Sequence, residues 1–244
     1  FNKQISGENL FGLEFRKDYQ RSLYRCQCGH FYNFHKYSKF LDKVYKKSYS
    51  NYSHNDIEKK FNKIISLKKK SSNLQRVKFL KKILKKNSQI LDVGSGFGIF
   101  PFEIKKLGFN IDCVESDKEM SNFLKRKKLN LISRDLMKVK NLKKKYDLIT
   151  FNKVLEHFEL TKIIKILRNY KKMLKKNGQI YIEVPDSLAA NNNLNRQEFF
   201  FEHYNIFSQK SLTILLNQIG FKIEYLKSTY EINDKFTLRA IINA

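Results

Sequence analysis

Asp92-Val93-Gly94-Ser95-Gly96-Phe97-Gly98 is the stretch whose residue types and spacing promise chemistry. An apolar run over residues 90–93 meets three glycines at alternate positions and then a helix-like segment, 99–107. Glycines at such a turn bend the backbone without Cβ strain and let main-chain amides approach a ligand closely. Glu115 follows about 20 residues beyond Gly94, at the end of the next apolar run. A glycine turn under a charged tail, with a carboxylate on the ribose hydroxyls, fits a nucleoside cofactor. Asp135 and Asn152 fall after two later apolar runs, and His157 and His203 are the two of five histidines that follow the same set of strand ends.

These residues need elements to position them. From residue 89 the pattern reads strand, turn, helix, repeated: strands at 90–93, 111–114, 129–133, 147–151, 179–184, 221–226 and 237–242, helices at 101–107, 118–127, 160–174 and 208–219. Alternating β and α units predict a parallel sheet with helices on both faces. Its ligand belongs at the carboxyl ends of the strands, where the strand order reverses. Gly108, Asn177-Gly178 and Gly220 are stop signals at helix ends. The first 87 residues lack this alternation. Segments 40–49, 57–67 and 74–84 read as helices, which predicts a mostly helical N-terminal cap (1–87) ahead of a cofactor-binding domain (88–244). A long connection, 186–207, has the length of a functional lid.

From residue 89 to the C-terminus the chain resembles the class I S-adenosylmethionine-dependent methyltransferases. The glycine turn is similar to their first motif, Val114-Glu115-Ser116-Asp117 to their second, and Arg134-Asp135-Leu136 to the adenine-binding turn. Tyr146-Asp147-Leu148-Ile149 followed by Val154-Leu155-Glu156-His157 resembles the fourth strand and its sequel, and Glu202-His203-Tyr204 through Gly220-Phe221 the tail of small-molecule and sugar methyltransferases. The resemblance implies a Rossmann-like α/β fold with a seven-stranded, mostly parallel sheet, S-adenosylmethionine as cofactor and S-adenosylhomocysteine as product. It places Asp92, Gly94, Ser95, Gly96, Glu115, Ser116, Asp135, Leu136 and Asn152 around the cofactor. The amides of Gly94 and Gly96 are expected on its carboxylate, Asp92 toward its cationic part, Glu115 on the ribose, and Asp135 with the Leu136 N–H on the adenine. A nicotinamide dinucleotide is the competing cofactor, but its third glycine comes three residues after the second, not two, and no Gly-Lys-Ser/Thr follows Gly98 for ATP.

Methyl transfer to a hydroxyl needs alignment and a proton acceptor. His203 is the first choice of base and His157 the second. Tyr45 and Tyr49 are expected to orient an acceptor, and Lys153 and Arg196 to meet an anionic one. The expected acceptor is a small molecule: a sugar, a nucleotide-sugar or a phosphorus-modified precursor of a bacterial surface polysaccharide, methylated on oxygen. Alternatives are an RNA substrate and a non-catalytic protein of the same fold. Tyr24-Arg25-Cys26-Gln27-Cys28-Gly29-His30 resembles half of a zinc module found ahead of some sugar methyltransferases, but the Cys-x-Cys spacing and the missing first pair lead to an expectation of no metal. Cys113 belongs to the core.

The net charge of +26 invites a nucleic-acid reading. Yet 40 of the 49 basic residues are Lys and only 9 are Arg, the preferred reader of phosphates and bases. Lysine runs at helix ends and loops read as solvated faces, and nucleic acid is not the expected partner. Three unevenly spaced cysteines make no disulfide framework. No apolar run approaches a membrane span, and residues 1–10 carry no signal-peptide pattern, so the expected location is cytoplasmic. The chain opens on Phe1 rather than Met, which leaves room for residues upstream.

Overall fold

The computed structural model describes residues 20–36, 54–139 and 144–244. In chain order they form β1 (Arg21–Arg25), β2 (Phe31–His35), α1 (His54–Ser66), α2 (Ser72–Lys81), β3 (Gln89–Val93), α3 (Ile99–Lys106), β4 (Asn110–Val114), α4 (Lys118–Arg126), β5 (Asn130–Ser133), β6 (Tyr146–Asn152), α5 (Leu160–Lys171), β7 (Leu174–Pro185), β8 (Asn205–Ile206), α6 (Gln209–Ile219), β9 (Lys222–Glu231) and β10 (Lys235–Asn243). Seven strands make one sheet in the order β5-β4-β3-β6-β7-β10-β9. All pairings from β5 to β7 are parallel, and β10 runs antiparallel to both β7 and β9. The sheet is the mostly parallel, seven-stranded one expected. Its order reverses at β3, with β4 and β5 on one side and β6 and β7 on the other.

Side-chain alternation along the strands assigns the two faces. Leu91 and Val93 join Ile149, Phe151, Ile180 and Ile182 in one core, while Ile90 joins Leu148, Tyr181 and Ile241 in a second. The first core is closed by the buried stripe of α5 (Ile163, Ile166, Leu167, Tyr170) and that of α6 (Leu212, Leu215, Leu216, Ile219), both at helical spacing. The second is closed by Val77 and Leu80 of α2 with Phe100 and Ile104 of α3. Local chemistry sets the helix ends. Asp117 caps α4 by accepting from the Met120 N–H (2.9 Å), and Ser208 and Ser211 form a capping box on α6, which ends at Gly220 with φ +82°. Among the described residues, no helix is long and apolar enough to cross a membrane.

The N-terminal region, read from the sequence as a mostly helical cap, also contains strands. Helices α1 and α2 are present, but residues 21–35 form a β-hairpin that the sequence pattern did not reveal. Strand β2 pairs with β1 and also with β8, which ties the hairpin to the long connection 186–207. Its inward positions, Phe31, Asn33 and His35, carry two polar residues, so the period-2 hydrophobic signal is lost. Asn33 donates from Nδ2 to the carbonyls of Phe200 (3.2 Å) and His203 (2.7 Å), which compensates its burial. The expected helix 40–49, with Tyr45 and Tyr49, lies outside the described residues. Cys26 and Cys28 sit in the hairpin turn, where the Cys28 N–H points to the Cys26 Sγ (3.4 Å); among the described residues no third metal-binding side chain joins them.

His35 makes the fold acid-sensitive. It is 5% exposed, and burial, aided by the charge of Arg21, lowers its pKa to about 3. The unfolded chain therefore takes up this proton first, and the stabilisation is complete above about pH 6.5 and lost as pH falls toward 3. Between pH 7 and pH 4.5 the parent is expected to lose about 2–3 kcal/mol more than a His35→Gln variant. Urea unfolding at the two pH values measures this. Equal losses would show that His35 does not carry the effect.

Candidate active site

The glycine turn leaves β3 at the point where strand order reverses. Gly94, Gly96 and Gly98 all have positive φ (+73°, +51°, +72°), for different reasons. A Cβ on Gly94 would stand 2.5 Å from Val154 Cγ2, and one on Gly98 would stand 2.4 Å from Leu124 Cδ2. These two are required by packing. A Cβ on Gly96 would meet nothing within 4 Å, so here the backbone borders open space beside Glu115.

The hydrogen bonds correct part of the expectation for this turn. The N–H groups of Gly94 and Ser95 both donate to the Val114 carbonyl (2.8 and 3.1 Å), and that of Gly96 donates to Glu115 Oε2 (2.6 Å). They brace β3 against β4 and do not form a free amide cradle for a ligand carboxylate. The Ser95 hydroxyl is likewise turned inward, to the Asp92 carbonyl (3.0 Å). Asp92 is 2% exposed, and its Oδ1 accepts from Thr150 Oγ1 (2.6 Å) and Asn152 Nδ2 (2.8 Å), a bridge from β3 to β6. Burial raises its pKa. Asn152 Oδ1 is buried and finds no hydrogen-bond partner among the described residues.

Glu115 ends β4 in the expected place. Its two oxygens accept from the amides of Gly96 and Asp117 (2.6 and 2.9 Å), and burial raises its pKa against those bonds. A carboxylate has about four lone-pair sites, so each oxygen can accept again. Ser116 beside it is exposed. Past β5, Asp135 Oδ1 closes a turn by accepting from Met137 N–H (2.8 Å), while Leu136 is buried. Gly96, Glu115, Leu136 and Asn152 thus present an open backbone, a ribose-competent carboxylate, an apolar wall and an orphaned amide oxygen. That set fits a nucleoside with a charged tail.

On the other side of the reversal point lies a cavity of about 230 Å³. Glu156, His157, Glu198, His203 and Lys235 are among its lining residues. It draws on the turn after β6, the connection 186–207 and the start of β10, so both predicted histidines meet in it. Their rings pack edge-on with centroids 5.0 Å apart. His157 Nδ1 lies 3.0 Å from the Glu202 carbonyl and His203 Nδ1 2.9 Å from the Glu198 carbonyl. A carbonyl only accepts, so each Nδ1 carries the hydrogen, and the neutral His203 ring has its lone pair on Nε2. Burial, then the nearby His157, pushes the His203 pKa well below its ordinary value and keeps that ring neutral. Glu156 is fully buried, neither carboxyl oxygen has a hydrogen-bond partner among the described residues, and burial pushes it up to about 7.

The two cations chosen for an anionic acceptor are already paired. Lys153 Nζ binds Glu231 (2.7 Å), and Arg196 binds Glu198 (3.2 Å) and packs on Phe236. Lys235, which sequence reasoning passed over, lines the cavity with no carboxylate within ion-pair distance among the described residues. Burial and Lys153 lower its pKa. It stands apart from the charge runs, and its one sequence signal was its place at the start of a strand.

Behind the cavity, β7 and β10 carry a buried ion cluster. Glu183, 0% exposed, accepts from Arg76 Nε (2.8 Å) and Tyr181 Oη (2.5 Å) and lies 2.9 Å from Arg239 Nε. Burial alone would raise its pKa, but Arg76 and Arg239 overcome that and hold it at about 2.

Fold and cleft together define a Rossmann-like class I methyltransferase. Residues 67–226 match the family model described as a methyltransferase domain, and the chain belongs to that family. Among solved structures, the glycopeptide N-methyltransferase MtfA complexed with S-adenosylmethionine aligns at a TM-score of 0.56 with 11% identity, over 69% of this chain and 85% of that one. The chain is 29% identical over 135 residues to a ribosomal RNA small subunit methyltransferase A of Wigglesworthia glossinidia brevipalpis, covering 49% of this chain and 51% of that one. It is 31% identical over 133 residues to a ribosomal protein L11 methyltransferase of Thermosipho melanesiensis, covering 52% and 46%. The chain thus spans about half the length of these curated relatives. Among solved structures, the magnesium protoporphyrin IX methyltransferase of Synechocystis PCC 6803, with bound SAH, aligns at a TM-score of 0.62 with 12% identity, over 85% of this chain and 100% of that one.

Proposed function

We propose that the protein transfers the methyl group of S-adenosylmethionine to an oxygen of a small, anionic acceptor, a sugar or phosphorus-bearing sugar precursor. The observation that carries this reading is the cavity where His157 and His203, each with Nδ1 turned to a main-chain carbonyl, stand with Lys235. When bound, the cofactor supplies a methyl group already activated on sulfur. The chain's part is then to hold, align and deprotonate. Glu115 takes the ribose hydroxyls, Leu136 and Asp135 the adenine, and Asn152 Oδ1 the ammonium of the amino-acid end. Lys235 takes the acceptor's negative group, and His203 Nε2 receives the hydroxyl proton.

The test is a screen of nucleotide-sugars and glycan fragments for released S-adenosylhomocysteine, with the His203→Ala variant alongside. That variant is expected to slow transfer to a hydroxyl about 100–1,000-fold while keeping S-adenosylhomocysteine affinity within about threefold. Undiminished turnover would remove His203 from the chemistry. The RNA reading draws on the net charge of +26 and on the ribosomal RNA methyltransferase relative. It predicts activity on RNA that falls steeply with salt.

A further inference from the structure

We infer that Glu156, His157 and His203 form a binding site for one divalent first-row transition-metal ion, on the wall of the acceptor cavity. Three observations converge. One ligand atom from each of the three residues lies within 4.8 Å of the other two. Ligand atoms around a tetrahedral ion at about 2.1 Å sit roughly 3.4 Å apart, so small side-chain rotations complete the site. Next, both rings hold Nδ1 against a main-chain carbonyl, at 3.0 and 2.9 Å. That is how metal-ligating histidines are fixed, with the tautomer set and Nε2 left as the lone-pair atom. Finally, Glu156 is fully buried, yet neither carboxyl oxygen has a hydrogen-bond donor among the described residues. Such a group demands a proton or a cation, and one ring nitrogen from each of His157 and His203, within 4.8 Å, supplies the rest of a cation's shell.

The donor set selects the ion class. Two imidazoles and one carboxylate suit Zn²⁺, Mn²⁺, Fe²⁺ or Co²⁺, whereas Mg²⁺ and Ca²⁺ prefer oxygen alone. Three protein ligands leave a position open, as catalytic sites do. Glu202 Oε1, 3.6 Å from His203 Nε2, is close enough to act as an outer partner.

The ion's role rests on the methyltransferase reading above and replaces one part of it, His203 as the proton acceptor. The open position takes the acceptor hydroxyl. Its O–H bond breaks, the pair stays on oxygen and the proton passes to water. That oxygen pair then forms the O–CH₃ bond as the C–S bond breaks and leaves its pair on sulfur. His203 is then a ligand, and the ion, not the ring, acidifies the hydroxyl.

The whole chain, stripped with EDTA, is titrated with Zn²⁺ by calorimetry and with Co²⁺ by visible absorption. One ion per chain is expected, with affinity lowered at least ~100-fold in Glu156→Gln and in His203→Ala. A Cys26→Ser/Cys28→Ser variant keeps full affinity. S-adenosylhomocysteine binding, measured on the same samples, reports folding and tests the methyltransferase reading separately. If both site variants lose that binding, the parent's Co²⁺ spectrum decides: a thiolate charge-transfer band overturns the site and its absence supports it. No ion bound, unchanged affinity in the folded site variants, or loss with the cysteines also overturns the site. His203 as a simple base would survive those results.

Discussion

Glu115→Ala is expected to weaken S-adenosylhomocysteine binding about 100-fold, the equivalent of about 2.7 kcal/mol. Two causes add. The ribose loses a buried, charge-bearing acceptor, and the amides of Gly96 and Asp117 lose the carboxylate that orients them (2.6 and 2.9 Å). Glu115→Gln retains one carbonyl acceptor and should fall between. Gly96→Ala separates ligand contact from fold. Its Cβ would meet nothing within 4 Å, so the stability cost is limited to about 1 kcal/mol for the positive φ. The methyl group would occupy the space assigned to the cofactor and abolish measurable binding. Gly94→Ala instead meets Val154 at 2.5 Å and should destabilise the whole fold. Calorimetry with thermal unfolding on the four variants separates these outcomes. Parent-like affinity in Glu115→Ala would move the ribose elsewhere.

Arg76→Ala is expected to cost about 3–5 kcal/mol of stability and to lower Tm by roughly 10 °C. The reason is what it leaves behind. Glu183 is 0% exposed, and Arg76 Nε lies 2.8 Å from its Oε2, linking α2 to the middle of the sheet across 107 residues of sequence. Without Arg76, the carboxylate keeps Arg239 and the Tyr181 hydroxyl but loses its closest charge. An Arg76→Met/Glu183→Gln double variant should recover much of the loss, since removing both members of a buried pair costs less than orphaning one. Urea unfolding of the single and double variants measures the coupling. A loss below about 1 kcal/mol in Arg76→Ala would show that α2 is held by its apolar contacts alone.

The core elements were readable because their causes are local. β3, β4 and β6 are short apolar runs ending in the glycine turn, Glu115 and Asn152, and α5 and α6 carry apolar stripes at helical spacing. β9 ran further than its apolar residues suggested, to Glu231, because pairing with β10 extends it. The hairpin of β1 and β2 was hidden because Asn33 and His35 face inward, where Phe200, His203 and Tyr204 of the connection 186–207 meet them.

By itself, the sequence determined the parallel α/β core and the residues at its strand ends, since turn geometry and hydrophobic period act over a few neighbours. Only the tertiary structure decided how those residues are used. It showed the amides of Gly94 and Gly96 bonded within the turn region, Lys153 paired with the distant Glu231, Arg196 with its near neighbour Glu198, and Lys235 brought into the cavity. It also brought a carboxyl oxygen of Glu156 within 4.8 Å of ring nitrogens of His157 and His203. Burial and pairing depend on which segments meet in space, and no local spacing encodes that.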